Sequence, residues 1–395
     1  MIPRSYVLAL VLLLQTSFSF AADKPKKVDV LFVLYDAGET LALQPVMEQL
    51  DQTDISYRVL AVATAHTLSK NHPHSLDSKQ DCRIKARIDA THWQRDTSLG
   101  DDDLEYAETC VTPRLVITGM ASRFQEQLAE RFQKNKITTA GYYDALSPMT
   151  RDAVGCTMTD KLSEVLVSSK KITESIRACS SSVRITVIGQ PTLDTWQEAL
   201  ANTNIAALRT TLKLKKEWPT ILYAGGYGED YAEAFTLFAQ AAKKLSDMNL
   251  LVSLHPKSDG ALEKRILRKR RPSFLTERVK ILPKTISTMQ AATIADVIVT
   301  WRSTVGVQAL FMGKPVIYLD VPGSSFTNIA LDQKWSRKVS TPEDFQTALH
   351  KQLRRRKQKV DNAFEQAGVP EHGAAVMSDW IQQTLKRNYH FSLPL

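Results

Sequence analysis

Runs of apolar, β-branched residues recur along this chain, and a turn and a stretch with helical spacing follow most of them. The first run is VDVLFVL at Val28–Leu34, and a second lies at Ser56–Val62 after the helix-like LALQPVMEQL. A strand that is apolar at every position is buried on both faces, as in parallel sheets covered by helices. The pattern therefore predicts an α/β fold built on parallel sheets.

The alternation of strands and helices occurs twice. In the first half, further strands are predicted at Arg114–Gly119, Ile137–Tyr142, Glu164–Ser168 and Arg184–Ile188. In the second half, strands are predicted at Thr220–Ala224, Leu250–Leu254, Val279–Leu282, Asp296–Thr300 and Pro315–Asp320. A break separates the two halves. The sequence thus predicts two Rossmann-like lobes that face each other across a cleft.

The length of 395 residues suits two domains, and 43% hydrophobic residues exclude a disordered chain. We divide the chain into a signal peptide, an N-terminal lobe with a polar insert, a linker, a C-terminal lobe and a basic helical tail. Their bounds are 1–21, 22–195 (insert 66–112), 196–218, 219–340 and 341–395. We expect the tail to be able to cross back onto the N-terminal lobe.

The first 21 residues have the pattern of a secretory signal. Arg4 precedes an apolar run, and Ser19-Phe20-Ala21 places small residues for cleavage before Ala22 or one residue later. An uncleaved anchor is the alternative, although the run is short for a membrane span. We expect an exported protein, periplasmic or secreted. Its net charge of +9, or 50 − 42 = +8 without Arg4, favours anionic partners.

Export makes disulfides possible for the four cysteines. We prefer pairing between sequence neighbours, which joins Cys82 to Cys110 and Cys156 to Cys179. Free buried thiols are the alternative.

Ligands of parallel sheets lie outside the carboxyl ends of the strands, so we searched the loops that follow strands. Gly225-Gly226-Tyr227-Gly228-Glu229 would let backbone N–H groups approach a phosphate, unless its glycines serve only the turn. His255-Pro256-Lys257 could hydrogen-bond a phosphate or a base edge, unless His255 merely caps the strand end.

A third loop is Trp301–Gln308. Arg302 supplies a fixed charge, and Ser303 or Thr304 could cap the next helix and donate to a diphosphate. Gly306 would allow close approach, and Gln308, one turn along, could reach sugar hydroxyls. The alternative is an ordinary capped helix.

A fourth loop, in the N-terminal lobe, carries two carboxylates. Asp36 and Glu39 could face the cleft and act as the general base for an acceptor hydroxyl. A simple helix cap by Asp36 is the favoured alternative.

The segment ADVIVTWRSTVGVQALFMGKPVIYLD, with HPK and GGYGE upstream, resembles the nucleotide-binding lobe of GT-B type glycosyltransferases. It is also similar to the UDP-N-acetylglucosamine 2-epimerases, and DAGE, VITG and VIGQPTLD in the first half fit the same superfamily. The resemblance implies that His255, Ser303, Thr304 and Gly306 contact the diphosphate of a sugar nucleotide, with Gly225 and Gly226 nearby.

Two departures from that superfamily bear on activity. In that superfamily a Glu usually holds the ribose, but the candidate positions here are Gln308, Ala309 and Leu310. The catalytic carboxylates of the epimerases have no secure counterpart in this sequence either.

We expect an exported GT-B-like glycosyltransferase. Its donor would be an anionic sugar, with a UDP-sugar as the candidate, and its acceptor a glycan or a lipid. The alternative is a non-catalytic exported protein that binds glycan or nucleotide, so enzymatic activity is left open.

Other signals favour solvated surface. His66, His72, His74 and His92 lack the spacing of a metal site, and Asp101–Asp103 lacks the remaining residues of a calcium loop. We therefore expect no metal, no cofactor beyond the donor and no nucleic acid. The basic stretches Lys264–Arg271 and Arg354–Lys359 leave peripheral contact with an anionic membrane open.

Overall fold

The structure is a computed structural model, and it describes residues 26–228, 230–269, 278–323, 326–354 and 362–390. The predicted signal peptide, Glu229, the last two residues of the basic stretch Lys264–Arg271 and all but Arg354 of the stretch Arg354–Lys359 lie outside the described residues. Among the residues described, no helix is both long enough and apolar enough to cross a membrane.

Two parallel sheets of six strands each form the centres of two lobes. The N-terminal sheet contains β1 Lys26–Leu34, β2 Tyr57–Ala61, β3 Val111–Gly119, β4 Thr138–Tyr143, β5 Glu164–Val167 and β6 Arg184–Val187. The C-terminal sheet contains β7 Thr220–Ala224, β8 Asn249–Ser253, β9 Val279–Ile281, β10 Val297–Thr300, β11 Val316–Leu319 and β12 Arg337–Val339. The predicted fold, two-lobed and α/β, is confirmed.

The order of the strands shows where ligands can enter. The order is β2-β1-β3-β4-β5-β6 in the N-terminal sheet and β12-β11-β10-β7-β8-β9 in the C-terminal sheet. In each sheet, successive strands are therefore added in opposite directions from one switch point. It lies between β1 and β3 in the N-terminal sheet and between β7 and β10 in the C-terminal sheet. The crevice at such a switch point is the usual ligand site of open parallel sheets.

Helices cover both faces of each sheet. The N-terminal lobe has α1 Ala37–Leu50, α2 Ala63–Ser69, α3 Asp101–Thr109, α4 Arg123–Lys134, α5 Val154–Met158 and α6 Thr173–Arg177. The predicted linker region holds the helices α7 Thr192–Asn202 and α8 Ile205–Thr211. The remaining helices are α9 Tyr231–Lys243, α10 Ala261–Arg268, α11 Thr288–Ile294, α12 Thr304–Phe311, α13 Ile329–Asp332, α14 Pro342–Arg354, α15 Ala363–Ala367 and α16 Gly373–His390.

The continuous apolar pattern of β1 follows from burial on both faces. Val30, Phe32 and Leu34 belong to the hydrophobic cluster on one face of the sheet, whereas Leu31 and Val33 belong to the cluster on the other. All five side chains have no exposed surface. Burial of this extent stabilises the fold by about 1.5–3 kcal/mol for each large side chain.

The polar insert contributes side chains to the hydrophobic core. Leu76, Ile84 and Trp93 are buried in the cluster that covers one face of β1. A disulfide joins Cys82 to Cys110, and a second joins Cys156 to Cys179. The preferred pairing of sequence neighbours is therefore confirmed.

The C-terminal tail returns to the N-terminal lobe, as the sequence allowed. Met377 and Ile381 of α16 pack into the same cluster as Leu43 of α1. The Trp380 indole N–H donates to the Glu164 carboxylate at 3.3 Å, and Arg114 donates from Nη2 to a carbonyl of α16 at 2.9 Å. The tail thus ties the two lobes together across the cleft.

Candidate functional site

The start of α12 forms one wall of the cleft between the lobes. Ser303 is its N-cap residue, and the Ser303 Oγ accepts a hydrogen bond from the Val305 N–H at 3.3 Å. The side chain of Thr304, the first helical residue, is exposed. Free N–H groups and the helix dipole make such a terminus attractive to anions.

Arg302 precedes this cap in an unusual backbone conformation. Its φ is +53°, in the left-handed region that costs a side-chain-bearing residue about 1 kcal/mol. The guanidinium carbon lies 5.3 Å from the centre of the Trp301 ring, and the side chain is exposed. Strained residues of this kind cluster at ligand sites, where the surrounding structure holds them in place.

An open pocket with a cavity volume of about 170 Å³ lies where this loop faces the N-terminal lobe. The N-terminal lobe contributes Leu146 and Ser147, from the segment that follows β4. The C-terminal lobe contributes Arg302, Ser303, Thr304, Val307, Phe326, Thr327 and Asn328. The Ile329 N–H donates to the Leu146 carbonyl at 2.9 Å, which fixes the two walls to each other.

His255 follows β8 and is held in one tautomer. Its Nδ1 accepts a hydrogen bond from the Lys257 N–H at 3.1 Å, so the neutral ring carries its proton on Nε2. Burial, with the nearby charge of Lys257, lowers the pKa of His255 to about 4. The ring is therefore neutral at pH 7 and has an N–H to donate.

Aromatic rings and one lysine bring the lobes together beside His255. Tyr227 packs on the His255 ring with 4.4 Å between centroids. Lys257 Nζ lies 4.5 Å from the centre of the Tyr227 ring and 5.8 Å from that of Tyr35 in the N-terminal lobe. Burial, with the charge of Asp36, raises the pKa of Tyr35 to about 12, so the phenol is neutral.

The structure gives Gly225 and Gly226 a packing role. The Gly225 N–H donates to the Ser253 carbonyl at 2.8 Å. A Cβ on Gly225 would lie 2.6 Å from the Ser253 oxygen, and one on Gly226 would lie 3.0 Å from the Tyr231 ring. The Gly225 N–H is therefore not available to a phosphate in this conformation, and both glycines allow close packing within the lobe.

Gly306 and Gln308 also differ from their expected orientation. A Cβ on Gly306 would lie 2.4 Å from the Tyr318 hydroxyl, so this glycine lets α12 pack on the sheet and not on a ligand. Gln308 is only 7% exposed and is not among the residues that line the pocket. The helical phase of α12 turns these two positions inward, while Ser303 and Thr304 face the cleft.

In the N-terminal lobe, the loop after β1 is a capping box. Asp36 is the N-cap of α1 and accepts from the Glu39 N–H at 3.1 Å. Glu39 is 1% exposed and accepts hydrogen bonds from the Tyr35 and Asp36 N–H groups and, at 2.6 Å, from the Gln125 side chain. The capping alternative for Asp36 is confirmed, and Glu39 lies beneath the cleft surface, where an acceptor has no access.

Gln125 fills the crevice between β1 and β3. Its Nε2 also donates to the Val33 carbonyl at 3.1 Å, and its Oε1 accepts from the Ala121 and Ser122 N–H groups. A Cβ on Gly119 would overlap the Glu39 carboxylate, so Gly119 makes room for this filling. The switch point of the N-terminal sheet is therefore closed by protein side chains.

Sequence reasoning missed Asp144, which directly follows β4. Burial, together with the charge of Asp36, raises the pKa of Asp144 to about 7. Burial, with the charges of Asp36 and Asp144, raises the pKa of Glu39 well above its usual range. Gly38 lies between them, since a Cβ there would be 2.6 Å from Asp144 Oδ2 and 3.4 Å from Asp36 Oδ1. A lone acid directly after a buried strand was the available signal.

The histidines of the insert take part in local contacts. His72 and His74 pack against Tyr57, and His92 bonds to Asp89 at 2.8 Å. Within the described ranges, no group of three or more His, Cys, Asp or Glu side chains is arranged to hold a metal ion.

The fold and this site can be compared with known proteins. Residues 188–360 match the family model of the capsule polysaccharide biosynthesis proteins, which covers the C-terminal lobe and its flanks. No protein of curated function matches the chain in sequence.

Solved structures show the same two-lobed architecture at low identity. UDP-GlcNAc 2-epimerase from Neisseria meningitidis, bound to UDP-GlcNAc, is 14% identical with a TM-score of 0.61, over 91% of this chain and 100% of that one. The UDP-GlcNAc 2-epimerase of Methanocaldococcus jannaschii is 15% identical with a TM-score of 0.64, over 90% and 99%. The wall teichoic acid polymerase TagF with CDPG is 14% identical with a TM-score of 0.59, over 91% and 90%. The resemblance to the GT-B and 2-epimerase superfamily is therefore confirmed at the level of the fold.

Proposed function

We propose that this chain is an exported glycosyltransferase that binds an anionic sugar donor in the interlobe cleft and transfers the sugar to a glycan or lipid hydroxyl. One observation carries the proposal. The exposed start of α12 faces, across one pocket, the loop of the N-terminal lobe that also holds Asp144. A helix terminus of the kind that attracts anions thus lies across the pocket from a loop that carries a carboxyl group two residues before its lining residues.

The C-terminal wall supplies the donor site in this proposal. Arg302 and the N–H groups at the start of α12 bind the diphosphate, and the Ser303 and Thr304 hydroxyls donate to it. Neutral His255 adds a hydrogen bond from Nε2 and leaves the site's positive charge to Arg302 and Lys257. The fold relatives bound to UDP-GlcNAc and CDPG make nucleotide-linked donors the first candidates.

The N-terminal wall supplies the base. Asp144, with a pKa of about 7, is close to the operating range that favours proton transfer. The acceptor oxygen attacks the anomeric carbon, its proton passes to Asp144, and the bond from that carbon to the donor phosphate breaks. The departing phosphate keeps the electron pair, and the charge it gains is stabilised by Arg302 and the helix terminus.

Calorimetric titration with UDP-GlcNAc and other UDP-sugars tests the donor site. We expect the double variant Arg302→Ala/Thr304→Val to weaken binding by at least about tenfold, because a charged and a neutral hydrogen bond to phosphate are lost. Arg265→Ala removes an exposed arginine from α10 and serves as the control, which should bind as the parent does. Equal affinity of parent and double variant, or no binding of any donor, contradicts the proposal.

A second candidate is an exported binding protein without turnover. The filling of the N-terminal crevice by Glu39 and Gln125 favours it, since that crevice then offers no room for an acceptor. The two candidates share the donor site but differ in turnover. Release of UDP from a bound donor in the presence of glycan acceptors supports the enzyme, and binding without release supports the second candidate.

Export is part of the proposal. Two disulfides in one lobe suit an oxidising compartment, and the first 21 residues have the pattern of a secretory signal. Intact mass of the protein from its native envelope should correspond to a chain that starts at Ala22 or one residue later. A mass that includes Met1–Ala21 would contradict export with cleavage of a signal peptide.

A further inference from the structure

A second pocket lies in the C-terminal half of the chain, away from the cleft. Its cavity of about 110 Å³ lies between the turn before β12 and the last turns of α14 and is open to solvent. Its lining residues are Lys334, Trp335, Ser336, Arg337, Ala348, Lys351 and Gln352. None of these residues belongs to the donor site proposed above.

The position of this pocket separates it from the cleft. Strand β12 is the outermost strand of its sheet and runs parallel to β11, with Arg337 at its amino end. The Ser336 hydroxyl donates to the carbonyl of Val316, the first residue of β11, at 2.7 Å. The cleft loops follow the carboxyl ends of the strands, so the second pocket lies at the opposite edge of the sheet.

Three cations from separate elements meet in this pocket. Lys334 follows α13, Arg337 begins β12 and Lys351 lies on α14, and all three side chains are exposed. Among the residues that the structure describes, none of the three forms an ion pair with a carboxylate. Unpaired like charges repel each other, so an anion in the pocket would relieve that repulsion.

One of the lining side chains, that of Gln352, has a polar atom that lacks a partner. Gln352 Oε1 is buried and has no hydrogen bond. This oxygen can only accept, so its complement is a donor such as a hydroxyl group. A buried acceptor without a partner costs about 1–3 kcal/mol, which a bound hydroxyl would recover.

An aromatic wall completes the set. Trp335 lines the pocket, and two contacts hold its ring in place. The indole N–H donates to Gln366 Oε1 at 3.2 Å, and the ring makes an edge-to-face contact with Phe311. A fixed indole presents apolar surface beside polar groups. Cations, a hydroxyl acceptor and an aromatic surface together match one class of ligand, an acidic sugar.

We propose that the pocket formed by Lys334, Trp335, Arg337, Lys351 and Gln352 binds a negatively charged saccharide. Its carboxylate or phosphate group pairs with the three cations, one hydroxyl donates to Gln352 Oε1, and a ring face lies on Trp335. This site is independent of the proposed donor site and would hold a glycan chain at the far edge of the C-terminal lobe. A concave pocket with one buried acceptor suits a sugar better than the flat surface of a membrane.

Titration of the full chain with a short oligogalacturonate, monitored by calorimetry, tests this proposal. Lys334→Gln/Lys351→Gln should weaken binding by at least about tenfold, because two charge-assisted hydrogen bonds are lost. Gln352→Leu should weaken it by about tenfold without loss of stability, because the unpaired buried oxygen disappears with it. Lys264→Gln/Lys269→Gln, on and directly after α10 beside the other lateral edge of the sheet, is the matched loss of two exposed charges and should bind as the parent does.

Three outcomes would overturn the proposal. The first is that a neutral oligosaccharide such as maltohexaose binds as tightly as oligogalacturonate does. The second is that oligogalacturonate binding is lost in Arg302→Ala but kept in Lys334→Gln/Lys351→Gln. The third is failure to bind oligogalacturonate while anionic phosphatidylglycerol vesicles bind, which would assign the three cations to a membrane. The proposal is supported if the pocket variants weaken oligogalacturonate binding and leave the affinity for UDP-GlcNAc unchanged. This result would support the second site even if the proposed donor site proved wrong.

Discussion

The two lobes share one architecture but differ at the edge that faces the cleft. In the N-terminal lobe, Glu39 and Gln125 fill the crevice at the switch point, and the carboxyl groups of Asp36 and Asp144 lie near its surface. In the C-terminal lobe, the loop after β10 leaves Arg302 and the start of α12 open to a pocket. One edge is therefore acidic and closed, and the other is basic and open.

The same sheet architecture in the two lobes therefore does not imply the same kind of binding site. A closed crevice of buried carboxyl groups cannot hold a diphosphate, because burial and like charge exclude an anion there. An open helix terminus with an arginine can. In the function that we propose, the C-terminal lobe binds the donor and the N-terminal lobe supplies the base.

Reduction of the disulfides should give the largest contrast between the lobes. Both bridges lie in the N-terminal lobe, with sequence separations of 28 and 23 residues, and each should contribute about 3 kcal/mol to its stability. Hydrogen exchange with a reductant should therefore show loss of protection in β1 to β6 before β7 to β12. Simultaneous loss in both lobes would mean that the two open as one cooperative unit.

Glycine substitutions test the closed and open edges separately. Gly119→Ala would force a methyl group into the Glu39 carboxylate, and we expect a loss of about 3 kcal/mol in the free energy of unfolding, with donor affinity unchanged. Gly306→Ala would push α12 off Tyr318, so it should also weaken donor binding. Gly100→Ala is the control, because a Cβ at this position would lie in open space. It should lower the free energy of unfolding by less than about 1 kcal/mol. Donor affinity that falls with Gly119→Ala and not with Gly306→Ala would reverse the roles of the lobes.

The acidic edge should lower stability at neutral pH. The pKa of Asp144 rises on folding from its ordinary range to about 7, so the folded state holds the proton more tightly and stability falls as pH rises from about 4 to 7. We expect Asp144→Asn to be more stable than the parent by up to about 4 kcal/mol at pH 8, since one pKa unit corresponds to about 1.4 kcal/mol, and nearly equal to it at pH 4. Thermal unfolding at both pH values measures this. A parent that is more stable than the variant at pH 8 would show that the carboxylate is satisfied in the folded state.

The sequence predicted much of the fold because its central strands are apolar at every position, as in β1. It did not predict β12, since Arg337–Val339 has one apolar residue and is a strand only because it pairs with the edge of β11. The loops that follow strands indicated Arg302, Ser303, Thr304 and His255, which the structure places at or beside the cleft.

The orientation of individual side chains could not be predicted in the same way. Whether Gly306 and Gln308 face a ligand or the core depends on the phase at which α12 meets Tyr318, which no local pattern records. The burial of Glu39 depends on Gln125 and on the missing side chain of Gly119, about 80 residues away in sequence. Asp144 becomes notable only when its distance from Asp36 is known.

A crystal structure of the chain soaked with UDP-GlcNAc tests the central claim most directly. Our account predicts the diphosphate at the start of α12, in contact with Arg302 and the Ser303–Thr304 cap, with the sugar directed towards Ser147 and Asp144. A nucleotide bound to the N-terminal lobe alone, or a cleft that stays empty at saturating nucleotide, would contradict it.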